Sequence, residues 1–181
     1  SSIMWNWQTQ NYLAVWAVPA RGTITPGSGW YNVGASLVLT ASADLYWYFT
    51  SWTGETNGST IISSNQLQIA MDAPRNIQGL YAPQLAPYQT PLWWLASYGL
   101  TNPSFAAAEL ADPDLDGMLS WQEYVTGTDP TNGLSFFEVN PIINQGGGES
   151  LIRWPSEIGR LYSVSIATNI SQGNWILVPG Y

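Results

Sequence analysis

The amino-acid sequence predicts a mainly β protein with a short helical segment near the middle of the chain. Residues 1–82 and 134–181 contain aromatic and β-branched runs separated by Gly, Pro and Asn, which is typical of strands joined by turns. The intervening residues, 83–133, begin with a Pro-rich stretch and then carry start and stop signals for helices. We therefore expect three modules with these boundaries.

The first module contains several strand candidates. In three of them apolar residues alternate, which predicts that one face of each strand is buried. The alternating sets are Leu37, Leu39 and Ala41; Leu67, Ile69 and Met71; and Ile77, Gly79 and Tyr81. The strand candidates are 12–18, 36–41, 46–52, 67–71 and 76–81, and turns are expected at 25–29, 55–59 and 72–76.

The run YLAVWAVPARGTITPGSGWYNVGASLVLTA, followed by FTSWTG and LQIAMDAPRNIQGLY, resembles the divergent internalin-B-type repeats of large bacterial surface proteins. The resemblance implies a small β-grasp-like domain of a kind strung in series as a stalk or adhesive spacer. The segment before it, MWNWQTQ, looks like a connector from a preceding repeat, so we expect the chain to be a fragment. The matching positions are Gly22-Thr23, Gly29-Trp30-Tyr31, Gly34 and Trp52-Thr53-Gly54.

The middle module is predicted to be helical after the linker APQLAPYQ. In PLWWLASYG, Pro91 is tolerated in a first helical turn and Gly99 is a common helix stop, so this stretch should form the first helix. A second helix is expected in SFAAAELA after Asn102-Pro103, and a short third one should begin near Ser120 and carry WQEYV.

The segment DPDLDGMLSWQE at 112–123 fits a twelve-residue EF-hand-type calcium loop. Calcium takes about six to eight oxygen ligands, which such a loop supplies from positions 1, 3, 5, 7, 9 and 12. Gly117 provides the sharp turn between these positions. The predicted ligands are Asp112, Asp114, Asp116, the backbone carbonyl of Met118, Ser120 directly or through a water, and a bidentate Glu123.

An Asp-rich turn without an ion is the alternative interpretation of this loop. Its four carboxylates would repel one another without a cation, so calcium binding should be coupled to local folding. With the following GTDPTN, the loop resembles the dockerin and thrombospondin type 3 class of extracellular calcium motifs. Asp129 either adds a ligand or caps a turn. The sequence has no second tandem loop, which argues against a cohesin-binding dockerin.

The third module has four strand candidates, in SFFEVN, SLIRW, LYSVSIA and NWILV. Turns are expected between them at NQGGGES (144–150), PSEIG and NISQG. An immunoglobulin-like sandwich needs about seven strands, so we expect a partial sandwich whose other strands are missing or supplied from elsewhere. The run WPSEIGRLYSVSIATNISQGNW resembles the opening half of β-sandwich modules that follow calcium motifs in bacterial secreted proteins.

The composition rules out several kinds of site. The chain has no His and no Cys, which removes Ser-His-Asp and Cys-His catalysis, zinc sites of the usual kind and disulfides. Its 4 basic residues are all arginines, and it has 12 Asp+Glu. The resulting net charge of -8 disfavours binding to nucleic acid and to anionic membrane surfaces. We expect no catalytic residues, no cofactor besides calcium, no enzyme activity and no membrane insertion.

The 11 tryptophans have three interpretations. Flat aromatic faces stack on sugar rings, small domains need large apolar residues for their cores, and exposed aromatics anchor contacts between subunits. Glycan-binding candidates are Trp5, Trp7, Trp16, Trp30, Tyr31, Trp47 and Tyr48. Core candidates are Trp52, Trp93, Trp94, Trp121, Trp154 and Trp175.

Together these features favour a non-enzymatic, extracellular, structural or filament-forming module of a bacterial surface protein. Calcium would rigidify it and fix the angle between its β domains, and identical subunits would associate by strand donation. The alternative function is adhesion or carbohydrate binding through exposed aromatic residues. In either case the expected location is extracellular or at the cell surface.

Overall fold

A computed structural model describes residues 2–147 and 149–179. The chain divides into two compact units, residues 1–108 and 109–181. Strands account for 35% of the residues and helices for 11%, which confirms the predicted mainly β class. Four residues lie outside the described ones. Residue 1 belongs to the predicted first module, residue 148 to the predicted turn at 144–150, and residues 180 and 181 to the end of the predicted third module.

The first unit contains eight strands in two four-stranded sheets. The strands are β1 (Gln10–Val18), β2 (Gly22–Thr25), β3 (Gly29–Asn32), β4 (Ser36–Ala43), β5 (Trp47–Gly54), β6 (Thr60–Ser63), β7 (Gln66–Ala70) and β8 (Arg75–Pro83). The front sheet has the order β3-β1-β8-β5 and the back sheet the order β2-β4-β7-β6. Neighbouring strands are antiparallel except β1 and β8, which are parallel from Leu13↔Arg75 to Val18↔Leu80.

One apolar core joins the two sheets. Its fully buried members are Leu13, Leu39, Leu67, Ile69, Met71 and Ile77, contributed by β1 and β8 of the front sheet and by β4, β7 and the residue after β7 in the back sheet. Leu37 packs against this cluster, and Ala41, Gly79 and Tyr81 are buried. The period of two therefore identified the inward faces of β4, β7 and β8, and all three alternating sets are confirmed.

The topology differs from the sequence expectation in some details. A β-grasp domain combines a sheet with a helix, whereas residues 10–83 form two sheets with no helix. The short edge strand β6 was not predicted, because TIIS shows no alternation. The turn expected at 72–76 is shorter, because β8 begins at Arg75. The buried guanidinium of Arg75 holds the turn by donating hydrogen bonds to Asp72 and to the carbonyls of Ala70, Glu55 and Asn57.

The end of β5 requires a glycine. Gly54 has a φ of +96°, a backbone conformation that residues with a Cβ rarely adopt. A side chain at this position would also collide with the backbone carbonyl of Asn76 on β8. The close approach of the two strands therefore depends on the absence of a side chain.

The three predicted helices are present and short. They are α1 (Leu92–Ser97) and α2 (Phe105–Ala108) in the first unit and α3 (Ser120–Thr126) in the second. Gly99 follows α1 with a φ of +74°, as the sequence predicts, whereas Pro91 lies just before the helix in an extended conformation and not in its first turn. The helix predicted over SFAAAELA is only four residues long and ends at Ala108. Within the described residues, no helix is long and apolar enough to cross a membrane.

The C-terminal part of the second unit has two small ladders. They are formed by β9 (Ile143–Gly146) with β10 (Glu149–Leu151), and by β11 (Ser165–Ile166) with β12 (Ile176–Leu177). The predicted strand at 135–140 is absent, because its backbone bonds elsewhere: Phe137 donates to the sulfur of Met118 and Asn140 to the carbonyl of Arg153. The predicted turn at 144–150 instead contributes strand residues. Between residues 131 and 179, no residue whose burial the structure describes is buried.

Candidate metal centre in the acidic loop

Three aspartates of the loop converge. Carboxylate oxygens of Asp112, Asp114 and Asp116, one from each residue, all lie within 4.8 Å of one another. Two oxygens bound to the same calcium ion at about 2.3 to 2.6 Å are at most about 5 Å apart. The three predicted acidic ligands therefore have a separation that a single calcium ion can span.

Local hydrogen bonds explain why the loop adopts this shape. The carboxylate of Asp112 accepts from the backbone N–H groups of Leu115 at 2.8 Å and Gly117 at 3.0 Å. Asp116 accepts from the N–H of Met118 at 2.8 Å. The φ of Gly117 is +96°, which confirms the predicted role of this glycine in the sharp turn. The aspartates thus fold the backbone of the loop around themselves, which accounts for their convergence.

Glu123 belongs to the same charged environment, although it lies on α3 and outside the set of three. Its side chain is fully buried. Burial, followed by the negative charges of Asp114 and Asp116, raises the pKa of Glu123 to about 7. The Thr128 hydroxyl donates a hydrogen bond to its Oε1 at 3.4 Å. Thr128 was not singled out from the sequence, where only its place in GTDPTN pointed to it.

Three carboxylate oxygens in this region are buried without a hydrogen-bond partner: Oδ2 of Asp114, Oδ2 of Asp116 and Oε2 of Glu123. A buried oxygen that bears negative charge and has no donor is costly, and a cation is one way to satisfy it. The oxygen-only donor set matches the preference of calcium. The residues therefore fit the ion that the sequence predicts.

The other two predicted ligands have additional partners. Ser120 is fully buried at the start of α3, and its hydroxyl donates to the carbonyl of Ala111 at 3.2 Å. The Met118 sulfur accepts from the N–H of Phe137 at 3.3 Å, so this side chain packs against the following segment. Ligation by Ser120 and by the Met118 carbonyl stays a prediction.

Asp129 lies apart from the cluster. Its Oδ1 accepts hydrogen bonds from the N–H of Thr131 at 3.0 Å and from the Thr131 hydroxyl at 2.7 Å. This pattern is a turn in which a side chain bonds the backbone two residues ahead. Of the two roles considered for Asp129, the geometry favours capping.

The aromatic candidates fall into two groups by exposure. Trp5, Trp7, Trp16, Trp30 and Tyr48 are exposed, whereas Tyr31 and Trp47 are half-buried. Among the core candidates, Trp52 packs against the core of the first unit, and Trp94, Trp121 and Trp154 are half-buried. Trp93 and Trp175 are exposed, so the core interpretation is corrected for these two.

The comparison with known families concerns the first unit. Residues 13–84 match the family model of the divergent InlB B-repeat domain. The predicted likeness to internalin-B-type repeats is thereby confirmed for this segment, which is less than half of the chain. The match suggests a bacterial surface repeat module, and its family is a structural module rather than a known enzyme family. No curated protein and no solved structure matches the chain.

Proposed function

We propose that this chain is a non-catalytic structural module of a bacterial surface protein in which a calcium ion bound by the acidic loop orders the second unit. The observation that carries the proposal is the set of buried, unpartnered carboxylate oxygens on Asp114, Asp116 and Glu123. Asp112 adds a third converging aspartate. The repeat match supports the surface-module part of the proposal.

Calcium would connect segments that lie apart in sequence. The aspartates precede α3 and Glu123 lies within it, so one shared ion would join the loop to the helix. The loop is already close to the following segment, because a Cβ on Gly133 would lie 3.1 Å from the carbonyl oxygen of Asp114. Farther along, the guanidinium of Arg160 lies over the ring of Tyr124 at 4.1 Å. Ordering the loop and α3 would therefore also restrain Gly133 and Arg160.

The test is thermal unfolding of the whole chain in calcium and in EGTA, with Asp116→Asn and Asp129→Asn as a matched pair. Both substitutions remove one negative charge in the same unit, but only Asp116 belongs to the cluster. Extracellular modules bind calcium with dissociation constants of about 0.1 to 1 mM, so about 10 mM calcium should raise the wild-type melting temperature by a few degrees.

We expect Asp129→Asn to keep this response and Asp116→Asn to lose most of it. Titration calorimetry should show an affinity for calcium at least about tenfold weaker in Asp116→Asn, because one charged ligand has become neutral. Equal responses to calcium in all three proteins, or no response in the wild type, would overturn the proposal.

A second candidate property is self-association with identical subunits. It is favoured by the exposed apolar side chains of the C-terminal part, where Ile158 is 98% and Leu161 is 100% exposed. Water disfavours such a surface, and a second copy offers the same apolar side chains in return. Sedimentation velocity in calcium should show species larger than a monomer, and Ile158→Gln with Leu161→Gln should shift them to monomer. A wild-type protein that stays monomeric at high concentration would contradict this candidate.

A further inference from the structure

The outer face of the front sheet is aromatic, and its four strands expose no charged side chain. On β1, Leu13 and Val15 point to the core, so Tyr12 and Trp16 lie on the opposite face, where each is 41% exposed. Trp30 on β3 is paired directly with Tyr12 and is 65% exposed. The four strands of this sheet carry one charged residue, Arg75, which is buried. The strands of the sheet therefore expose no charged side chain of their own.

The aromatic rings are arranged as two sites along one strand. Tyr12 and Trp30 contact each other at the first site, with ring centroids 5.2 Å apart at an angle of 65°. Trp16 forms the second site, four residues along β1 and thus about 13 Å away. Ala14, with its small side chain, lies between them on the same face. A small side chain therefore separates the two aromatic groups.

Polar side chains adjoin the rings. Gln78 on β8 pairs with Trp16, and the exposed Asn76 pairs with Ala14. The amide of Asn76 also donates to the carboxylate of Glu55 at 3.1 Å, so one negative charge borders the face at this point. Beside the first site, Gln10 donates a hydrogen bond to Asn32 at 3.2 Å. Amide side chains both donate and accept hydrogen bonds, as sugar hydroxyl groups require. The face therefore combines apolar planes for stacking with uncharged hydrogen-bonding groups.

The area of the aromatic surface argues for a ligand that covers less area than a second copy of the chain would. The exposed fractions of Tyr12, Trp16, Trp30 and Tyr48 amount to about two fully exposed aromatic side chains, or roughly 400 Å². A stable protein interface buries about 800 Å² on each partner. An exposed patch of this size is nevertheless typical of functional surfaces.

From the aromatic pair, the second ring along β1 and the absence of exposed charged side chains on the four strands, we infer that the outer face of the front sheet binds a neutral polysaccharide. Sugar rings stack on the Tyr12–Trp30 site and on Trp16, and their hydroxyl groups bond the neighbouring amides. Anionic polysaccharides are excluded by the net charge of -8. This binding is independent of the acidic loop.

The experiment is native affinity electrophoresis of the whole chain in gels containing hydroxyethylcellulose, galactomannan or heparin. The variant is Trp16→Ala with Trp30→Ala, and the control is Trp175→Ala, which removes another tryptophan that is 57% exposed but lies outside this sheet. We expect at least one of the two neutral polysaccharides to retard the wild type and the control. The double variant should bind it at least tenfold more weakly, and heparin should retard none of the proteins.

The melting temperature of each variant shows whether it is folded, and Trp16→Gln alone provides a milder second test at the same ring. Repeating the gels with EGTA and with Asp116→Asn separates this inference from the calcium proposal, because retardation should not change. Absence of retardation in both neutral gels, equal retardation of the folded double variant, or retardation only in heparin would overturn the inference. So would a wild-type dimer that the double variant abolishes, since a second copy would then cover the face.

Discussion

The repeat at residues 10–83 and the C-terminal segment at 131–179 have similar strand-like sequences but very different burial. In the repeat, alternate apolar residues of two sheets meet in one core. In the C-terminal segment the strands are two to four residues long, and no residue whose burial the structure describes there is buried. Apolar strand residues therefore stabilise a fold only when a second layer covers them.

The largest expected difference between the two regions is in the cost of removing a leucine side chain. Leu39→Ala should lower the free energy of unfolding by about 2 to 5 kcal/mol, because it leaves a cavity in the repeat core. Leu161→Ala, at a fully exposed position, should change it by less than about 0.5 kcal/mol. Urea denaturation of both variants measures this. Similar costs would show that Leu161 is buried in solution.

The next largest effect concerns the backbone of the repeat. Gly54→Ala should destabilise the repeat by about 3 kcal/mol, because the new Cβ meets the Asn76 carbonyl and the φ is positive. Gly58→Ala also has a positive φ but open space around it, so about 1 kcal/mol is expected. The same urea experiment compares them. If Gly54→Ala lowers the free energy of unfolding no more than Gly58→Ala does, β5 and β8 are less closely packed in solution than the structure shows.

Trypsin offers a direct comparison of local stability, because the only cationic residues are four arginines. Arg153 and Arg21 are both exposed, but Arg21 follows β1 in the repeat. Without calcium, cleavage after Arg153 should be at least about tenfold faster than after Arg21 or the buried Arg75, because few buried contacts oppose local opening there. Mass spectrometry of timed digests measures the order. If trypsin cleaves first after Arg75, the repeat opens more readily than the C-terminal segment, which contradicts this prediction.

The smallest expected effect is a pH dependence of calcium-free protein. Because the pKa of Glu123 is raised in the folded state to about 7 from 4.5, its contribution to stability is fully present below about pH 4.5 and is lost as the pH rises through 7. The melting temperature in EGTA should therefore be a few degrees higher at pH 5.5 than at pH 8. Glu123→Gln serves as the control and should show a smaller difference. If the melting temperatures of Glu123→Gln at the two pH values differ as much as those of the wild type, groups other than Glu123 cause the pH dependence.

The sequence was informative where the signal is local or periodic. The inward faces of β4, β7 and β8 follow from alternation, and the turn at Gly117 follows from the spacing of the aspartates. The strands β2 and β3 lie within the segment quoted for the family resemblance, but neither was distinguished as a separate strand. Local patterns of this kind need no knowledge of distant contacts.

Other features depend on distant contacts and could not be predicted in the same way. The segment 135–140 is rich in apolar residues, but it forms no strand because Phe137 bonds to the Met118 sulfur. β6 is an edge strand, and both Ile61 and Ile62 are exposed, so its sequence has no apolar alternation. It is a strand because it pairs with β7, and that pairing cannot be read from its own residues. The convergence of the front sheet's aromatic residues also depends on the register between β1 and β3.

The parallel pairing of β1 and β8 has a mechanical consequence. Because the two strands run in the same direction, the chain enters the front sheet at one end and leaves it at the other. A force that pulls residues 10 and 83 apart would therefore act along both strands and shear their six paired positions together, instead of separating them one at a time. Joined in series, such repeats would extend in length and resist tension.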